Sequence, residues 1–283
     1  MSQSTIACVF PGQGSQSQGM LNELAASTPI VAETFAQASA ALGYDLWDVV
    51  VNDPNEELNQ THVTQPALLT ASVAIYRALQ DVAPFTPSIM AGHSLGEYSA
   101  LVCSGVLSLE DGVKLVKARG EFMQAAVKPG AGAMYAIIGL DDVAIIAACA
   151  QAQTDSGEIV AAVNFNSPGQ VVIAGTEKAA EIAAAACKAA GAKRALPLAV
   201  SVPSHCALMD PAAESLAQLL ATVTFNQPTV PFINNVDVAI EQDASAIKNA
   251  LVRQLSCPVQ WTKTVESFAQ HGVDAVLEIG PGK

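Results

Sequence analysis

Residues Ala91 to Ala100 read A-G-H-S-L-G-E-Y-S-A, and inside them Gly92-His93-Ser94-Leu95-Gly96 fits the G-x-S-x-G pattern of a nucleophile elbow. In such an elbow a strand feeds a tight turn and a helix leaves it, so that the serine hydroxyl is held above the sheet edge. Both neighbours are readable here. Pro87-Ser88-Ile89-Met90-Ala91 is short, apolar and bounded by proline, and Glu97-Tyr98-Ser99-Ala100-Leu101-Val102 begins a helical apolar stripe that runs out near Gly105. Gly92 and Gly96 lack the Cβ atoms that would crowd so tight a turn, and the helix start offers backbone N–H groups to a developing negative charge. Without that context, a serine in a Gly-rich turn is all the pattern says.

The bulk composition bounds what surrounds this turn. A chain of 283 residues, 51% hydrophobic and 14% charged, can bury a large core and exceeds the usual size of a single small domain. One large domain carrying a smaller one is expected. A net charge of −13 with no basic stripe excludes nucleic acid as a partner class. The opening Met1-Ser2-Gln3-Ser4-Thr5 has no basic n-region, and no apolar run approaches the roughly 20 residues of a membrane span, so a soluble cytoplasmic protein with no membrane partner is expected. The six cysteines (Cys8, Cys103, Cys149, Cys187, Cys206, Cys257) form no C-x-x-C pair, and the four histidines (His62, His93, His205, His271) have no metal-ligand spacing. Neither a disulfide framework nor a protein metal site is expected.

Around the elbow, Ile6-Ala7-Cys8-Val9-Phe10 reads as a buried strand stopped by Pro11 and the loop Gly12-Gln13-Gly14-Ser15-Gln16. Loops at the ends of buried parallel strands are where such sheets place their chemistry, and the backbone of Gln13, flanked by glycines, could approach a carbonyl and offer its N–H. A flexible polar turn is the plainer reading. Glu23 to Ala41 is helical with a break at Pro29. His62-Val63-Thr64-Gln65-Pro66 opens a helix with Pro66 in its first turn, continuing through Leu79, and His62 reads as a surface or capping residue. Leu109 to Ala126 is a helix with Arg119 near its middle. On pattern alone Arg119 is a solvated charge paired with Glu121 or Asp111.

From Gly130 the composition shifts toward Ala and Gly and the order of elements changes. Ala133–Ile138 reads as a strand, Asp141–Gln151 as a helix, Glu158–Asn164 and Gln170–Ala174 as a strand pair, Glu177–Ala190 as a helix, and Arg194–Val200 as a strand. That order, β-α-β-β-α-β, is the ferredoxin-like split unit. The expected division is therefore a large α/β domain with a parallel sheet over residues 1–129 and 201–283, and an inserted ferredoxin-like subdomain over 130–200. Asn164 to Gly169 is the turn between the middle strands. Ser201 to Asp210 returns the chain to the large domain, bringing His205 into play 111 positions after Ser94, the order in which a base follows its nucleophile in an elbow fold. A structural histidine is the other reading. Asp210-Pro211-Ala212 reads as a helix cap, not as a triad acid. Pro231–Asn235 is a strand and loop, Asp243–Leu255 and Val265–Gln270 are helices, and Ala275–Ile279 is a last buried strand.

Several separated pieces now coincide: Phe10-Pro11-Gly12-Gln13-Gly14-Ser15-Gln16, Gly92-His93-Ser94-Leu95-Gly96-Glu97, Arg119, Val202-Pro203-Ser204-His205, Asn234-Asn235-Val236-Asp237 and Gly280-Pro281-Gly282-Lys283. Together they resemble the bacterial malonyl-CoA:acyl carrier protein transacylases along essentially the whole chain. The resemblance implies an α/β-hydrolase-like large domain with an inserted ferredoxin-like subdomain. It implies Ser94 as nucleophile, His205 as base, the backbone N–H groups of Gln13 and Leu95 as oxyanion hole, and Gln254 orienting the histidine by a hydrogen bond. It further implies Arg119 as the grip on the malonyl carboxylate and Asn166 at the pocket's edge. The substrate would be malonyl-CoA, the partner an acyl carrier protein, with no cofactor and a monomeric enzyme. Relatives usually continue past Gly-Pro-Gly-Lys into another helix, so a longer native chain is expected. Carriers of this pathway are typically acidic, which singles out Lys114, Lys117, Lys188, Lys193 and Arg194 as a docking patch on an otherwise acidic chain. The rival is a serine thioesterase or esterase on the same elbow, which would want an acid behind the histidine and has no need of Arg119.

Overall fold

The structure is a computed structural model that describes residues 5–200 and 202–282. The expectations that fall on Met1 to Ser4, on Ser201 and on Lys283 lie outside the described residues. Strand β1 (Ile6–Phe10) is followed by helices α1 (Asn22–Ser27), α2 (Pro29–Leu42), α3 (Leu46–Val51) and α4 (Thr61–Val82), then β2 (Ile89–Gly92), α5 (Gly96–Cys103) and α6 (Leu109–Ala126). The middle of the chain runs β3 (Gly132–Ile138), α7 (Asp142–Ser156), β4 (Val160–Ser167), β5 (Gln170–Thr176), α8 (Glu177–Ala189) and β6 (Arg194–Pro197). A 3₁₀ turn at Ala207–Met209 leads into α9 (Asp210–Leu220), β7 (Phe232–Ile233), α10 (Ala244–Gln254), α11 (Trp261–Gln270) and β8 (Ala275–Glu278).

Two sheets result. The first is parallel throughout, ordered β7-β2-β1-β8, with Phe10 beside Gly92 at the carboxyl ends of its two central strands. Those ends open into the 11–14 loop and the elbow, as expected for a doubly covered parallel sheet. One face packs on α2, α4, α6 and α9 through side chains such as Phe10, Leu68, Met90, Val116 and Leu216, and the other carries Ala7, Val9, Ala91 and Ile233 against Phe268 of α11. The second sheet is antiparallel, ordered β4-β5-β3-β6, with α7 and α8 sharing its core through Ile145, Cys149, Ala180 and Cys187. That is the strand order of a ferredoxin-like split unit.

Four details differ from the sequence reading. Helix α4 begins at Thr61, one residue before the expected opening at His62, and Pro66 lies past its first turn, interior to the helix, where it cannot donate to the His62 carbonyl. Asp210 does not cap α9; it is the helix's first residue, led in by the 3₁₀ turn, with no side-chain cap bond. Asn166 belongs to β4, because that strand extends through two register irregularities to Ser167 and leaves only Pro168-Gly169 for the turn. Strand β8 is the sheet's edge, not its interior: Val276 is 53% and Leu277 37% exposed, since an apolar run marks a strand but not which of its sides is covered. No helix among the described residues is long and apolar enough to cross a membrane.

Candidate active site

Between β2 and α5 the chain turns within Gly92–Gly96. A Cβ on Gly96 would lie 2.1 Å from the Phe10 carbonyl oxygen, which is why the turn can press against the end of β1. Ser94 takes the strain, with φ +52°, and its backbone N–H donates to Asn235 Oδ1 at 2.7 Å. Asn235, from the loop after β7, also donates Nδ2 to the Gly92 carbonyl at 2.6 Å, so one buried amide staples both sides of the elbow. In the sequence Asn235 stands in the strand-end motif Asn234-Asn235-Val236-Asp237 with no role assigned to it. The available signal was its place just past the end of a parallel strand.

The Ser94 hydroxyl meets two partners. His205 Nε2 lies 2.8 Å away, and Arg119 Nη2 donates from 3.3 Å. His205 also has a left-handed backbone, φ +64°, and its N–H donates to the Leu255 carbonyl, which fixes the ring's approach. Its Nδ1 sits 2.6 Å from the Gln254 backbone oxygen. A carbonyl oxygen can only accept, so Nδ1 carries the proton and Nε2 is the free base facing the hydroxyl. Burial, then the nearby Arg119 charge, push the His205 pKa down to about 3 against the opposing pull of that carbonyl. The imidazole is therefore neutral at physiological pH. Gln254 orients it, through its main chain and not its side chain.

The Gln254 side chain is used elsewhere. Its Oε1 accepts from Arg119 Nη2 at 2.9 Å, and its Nε2 donates to the Ser94 carbonyl at 3.0 Å and to Glu97 Oε2 at 2.9 Å. Arg119 is 1% exposed, with Nη1 on Gln65 Oε1 at 2.8 Å and the Tyr98 ring 5.3 Å from its carbon centre. The surface pairing expected from its helix is taken instead by Lys117 with Glu121. Arg119 faces inward because α6 crosses α4 closely at Gly120, where a Cβ would come within 2.6 Å of His62 Cα. His62, expected at the surface, is half-buried there and shares Nδ1 with Gln124 Oε1. Gln65 and Glu97 were not singled out from the sequence. Glu97 was legible in principle, as a carboxylate opening an otherwise apolar helix three residues after the serine.

Ser94, His205 and Arg119 line a cavity of about 120 Å³ together with Gln13 and Leu95 from the loops at the end of the parallel sheet, Met134 and Asn164 from the antiparallel sheet, and Leu198 just past β6. Among the hydrogen bonds of the described residues, the backbone N–H groups of Gln13 and Leu95 have no protein acceptor, which leaves both available to a bound oxygen. Asn166, expected at the pocket's edge, instead has Oδ1 2.8 Å from His93 Nε2, one layer behind the lining; Asn164, two residues earlier, is the asparagine in the wall. Asn164 Oδ1 is buried without a partner, and so is Arg119 Nε. No group of three or more potential metal-ligating side chains is gathered among the described residues.

The acyl transferase domain family matches residues 7–282. The chain is 65% identical over 277 residues to the malonyl CoA-acyl carrier protein transacylase of Escherichia coli (strain K12), covering 98% of this chain and 89% of that one. It is 65% identical over 278 residues to the enzyme of the same name from Haemophilus influenzae, covering 98% and 88%. Among solved structures, an acyl carrier protein S-malonyltransferase from Vibrio cholerae superposes with a TM-score of 0.96 at 60% identity, covering 99% of this chain and 91% of that one. A malonyl-transacylase solved in complex with a type II PKS acyl-carrier protein superposes equally well, with a TM-score of 0.96 at 61% identity and coverage of 99% and 90%. With an elbow serine, a neutral histidine and a buried arginine sharing one cavity in a fold that matches along its length, the chain belongs to the malonyl CoA-acyl carrier protein transacylases of the acyl transferase domain family.

Proposed function

We propose that this protein moves a malonyl group from malonyl-CoA to the phosphopantetheine thiol of an acyl carrier protein, through a malonyl ester on Ser94, and so supplies fatty acid synthesis. The observation that carries the mechanism is the single hydroxyl shared by His205 Nε2 at 2.8 Å and Arg119 Nη2 at 3.3 Å. His205 takes the Ser94 proton as Oγ attacks the thioester carbonyl, and the N–H groups of Gln13 and Leu95 receive the oxyanion. Collapse breaks the C–S bond, and His205 returns the proton to the departing CoA sulfur. The carrier's thiol then repeats the sequence in reverse, giving ping-pong kinetics. Exchange between two thioesters is redox-neutral and needs only a nucleophile, a base and an oxyanion site, so we infer no cofactor or metal.

Arg119 supplies the preference for a malonyl group. Its planar fork suits a carboxylate, and charged hydrogen bonds of about 1.5–3 kcal/mol each correspond to roughly a ten- to hundredfold advantage over acetyl. The thioesterase alternative is disfavoured because His205 Nδ1 meets a backbone carbonyl where a triad carboxylate would stand, and because a hydrolase of neutral esters has no use for a buried guanidinium. Asn166 acts through His93, not on the substrate directly. We further infer a monomer working in the cytoplasm, with residues 130–200 as a small subdomain closing the cavity from one side. Mixing the protein with malonyl-CoA and weighing it intact tests the reading. The expected result is one malonyl group retained on Ser94 until carrier protein is added; rapid release of free malonate without carrier would establish hydrolysis instead.

A further inference from the structure

Among the described residues, every hydrogen-bond and cation–π partner of Arg119 is neutral: Gln65, Gln254, the Ser94 hydroxyl and the Tyr98 ring. A guanidinium that is 1% exposed needs counter-charge within its network. The acid joined to it is Glu97, also 1% exposed and one amide away, since Gln254 gives Nε2 to Glu97 Oε2 and takes Arg119 Nη2 on Oε1, each at 2.9 Å. Glu97 Oε2 also accepts the N–H of Asn235 at 3.1 Å, the residue whose side chain staples the elbow. The same Gln254 holds His205 Nδ1 on its backbone oxygen.

We propose that Glu97 is a positioning residue for the malonyl-transfer reaction: its carboxylate fixes the Gln254 amide with Oε1 toward Arg119, and thereby aims the guanidinium at the Ser94 oxygen. This rests on the transfer reading above. A flipped Gln254 amide would set its Oε1 against the Glu97 carboxylate and the Ser94 carbonyl, and its Nε2 against Arg119 Nη2, replacing attractions with repulsions on every side. The Ser94 carbonyl, which only accepts, and Arg119 Nη2, which only donates, favour the observed orientation whatever the state of Glu97, and the ionised carboxylate adds a further acceptor-only partner that tightens it. Once Glu97 is protonated, or replaced by an amide, it can donate as well as accept, and that share of the constraint is lost.

The groups facing Glu97 come from the elements around it: Tyr98 on α5, Arg119 on α6, Asp237 and Asn235 after β7, and Gln254 at the end of α10. Burial pushes Glu97 up to about 7, against the bonds from Gln254 and Asn235 and the Arg119 charge. Its charged neighbours and the site's histidines titrate elsewhere. Burial pushes His205 down to about 3 and Tyr98 up to about 12, Asp237 is held low by the Arg253 hydrogen bond, and His93 is lowered by burial. The malonyl half-reaction should therefore rise with pH through neutrality, while the acetyl half-reaction, which makes no use of the aimed guanidinium, should not.

The experiment is single-turnover acylation of Ser94 by malonyl-CoA and by acetyl-CoA, followed by intact mass across about pH 5.5 to 9 in the wild type and Glu97→Gln. The expected wild-type result is a malonyl rate that climbs about tenfold through one step near neutrality, with acetylation nearly flat. Glu97→Gln should lack the step and discriminate malonyl from acetyl at least about tenfold less, with a melting temperature within about 5 °C of wild type. The inference is overturned if the variant keeps both step and preference, or loses both acyl groups equally. Should the variant fail to fold, the wild-type profile decides alone: a malonyl rate with no step near neutrality overturns it. A wild type that forms no malonyl adduct at any pH would instead overturn the transfer reading itself.

Discussion

Truncating Arg119 separates its contribution to specificity from its contribution to packing. Arg119→Ala removes the donor proposed for the malonyl carboxylate and leaves Gln65 Oε1 and Gln254 Oε1 without their partner. Malonyl transfer should fall at least about tenfold while acetyl transfer is equal or improved, because only the charged substrate loses a charge-assisted bond. Steady-state kcat/KM for the two acyl-CoAs checks this, and equal losses for both would remove Arg119 from selectivity. His205 yields a prediction in stability. Its pKa is about 3 in the folded chain against an ordinary 6.5, so between those values the unfolded chain binds a proton that the folded one does not. Its contribution is therefore intact above pH 6.5 and lost as pH falls toward 3. Glu97, raised to about 7, has the opposite sign: it stabilises below its ordinary 4.5 and its contribution fades as pH rises to 7. Urea unfolding of wild type and His205→Gln side by side isolates the histidine. Their stability difference should change by up to about 1.4 kcal/mol per pH unit in the acid window and be flat above it. None of these inward-facing roles is visible in a single residue's letter. Arg119 carries the same charge on a solvated helix face as in a core, and only the close crossing of a second helix decides between the two.

The elements themselves were far more legible than their mutual placement. Helix α6 was bounded as Leu109–Ala126 from its apolar stripe, and Ser108 does cap it, accepting the Asp111 N–H at 3.1 Å. The start of α4 was obscured because a proline usually marks a first turn, and here Thr61 to Gln65 extend the helix ahead of it. That first turn carries Thr61, a wall of the cavity, and Gln65, the Arg119 partner, follows it directly. Gly120 is where α4 and α6 meet, and the atoms a Cβ would strike are backbone atoms of Thr61 and His62, which cannot swing aside. Gly120→Ala should force the helices apart, at a cost of about 1–3 kcal/mol as overpacking typically gives. Arg119, one residue away, would be drawn from Gln65 with the shift. The expected outcome is a lower melting temperature together with a reduced malonyl-over-acetyl ratio. A variant that melts early but keeps its full ratio would show that the crossing fixes stability without aiming the arginine.

At the scale of the whole molecule, the cavity exists because two sheets are tied across it. The Phe165 N–H donates to the Val259 carbonyl, the Val259 N–H to the Val163 carbonyl, and Thr262 Oγ1 to the Phe165 carbonyl, while His93 and Asn166 join the elbow to β4. The β-α-β-β-α-β order announced the small sheet, but the convergence of Ser94, Arg119, His205 and Gln254 from distant segments depends on those long-range ties, which leave no local pattern. Surface charge is likewise a property of the assembled molecule. With a net charge of −13, an acidic carrier is repelled by most of the surface, so productive encounter requires a local basic patch. Of the five cations picked from the sequence, Lys117 is paired with Glu121, and Lys188 caps carbonyls of Ala192 and Lys193. Lys193 and Arg194 are exposed at the start of β6, the strand that runs on to cavity-lining Leu198 and Val200, while exposed Lys114 stands on α6. Reversing Lys193 and Arg194 together to Glu should raise the KM for carrier protein at least about threefold at low salt and leave that for malonyl-CoA within error, the difference shrinking as added salt screens the pair. Steady-state assays varying each substrate at two ionic strengths read this directly. A parallel rise in both KM values would assign the patch to the phosphates of CoA, and no change in either would remove Lys193 and Arg194 from carrier docking.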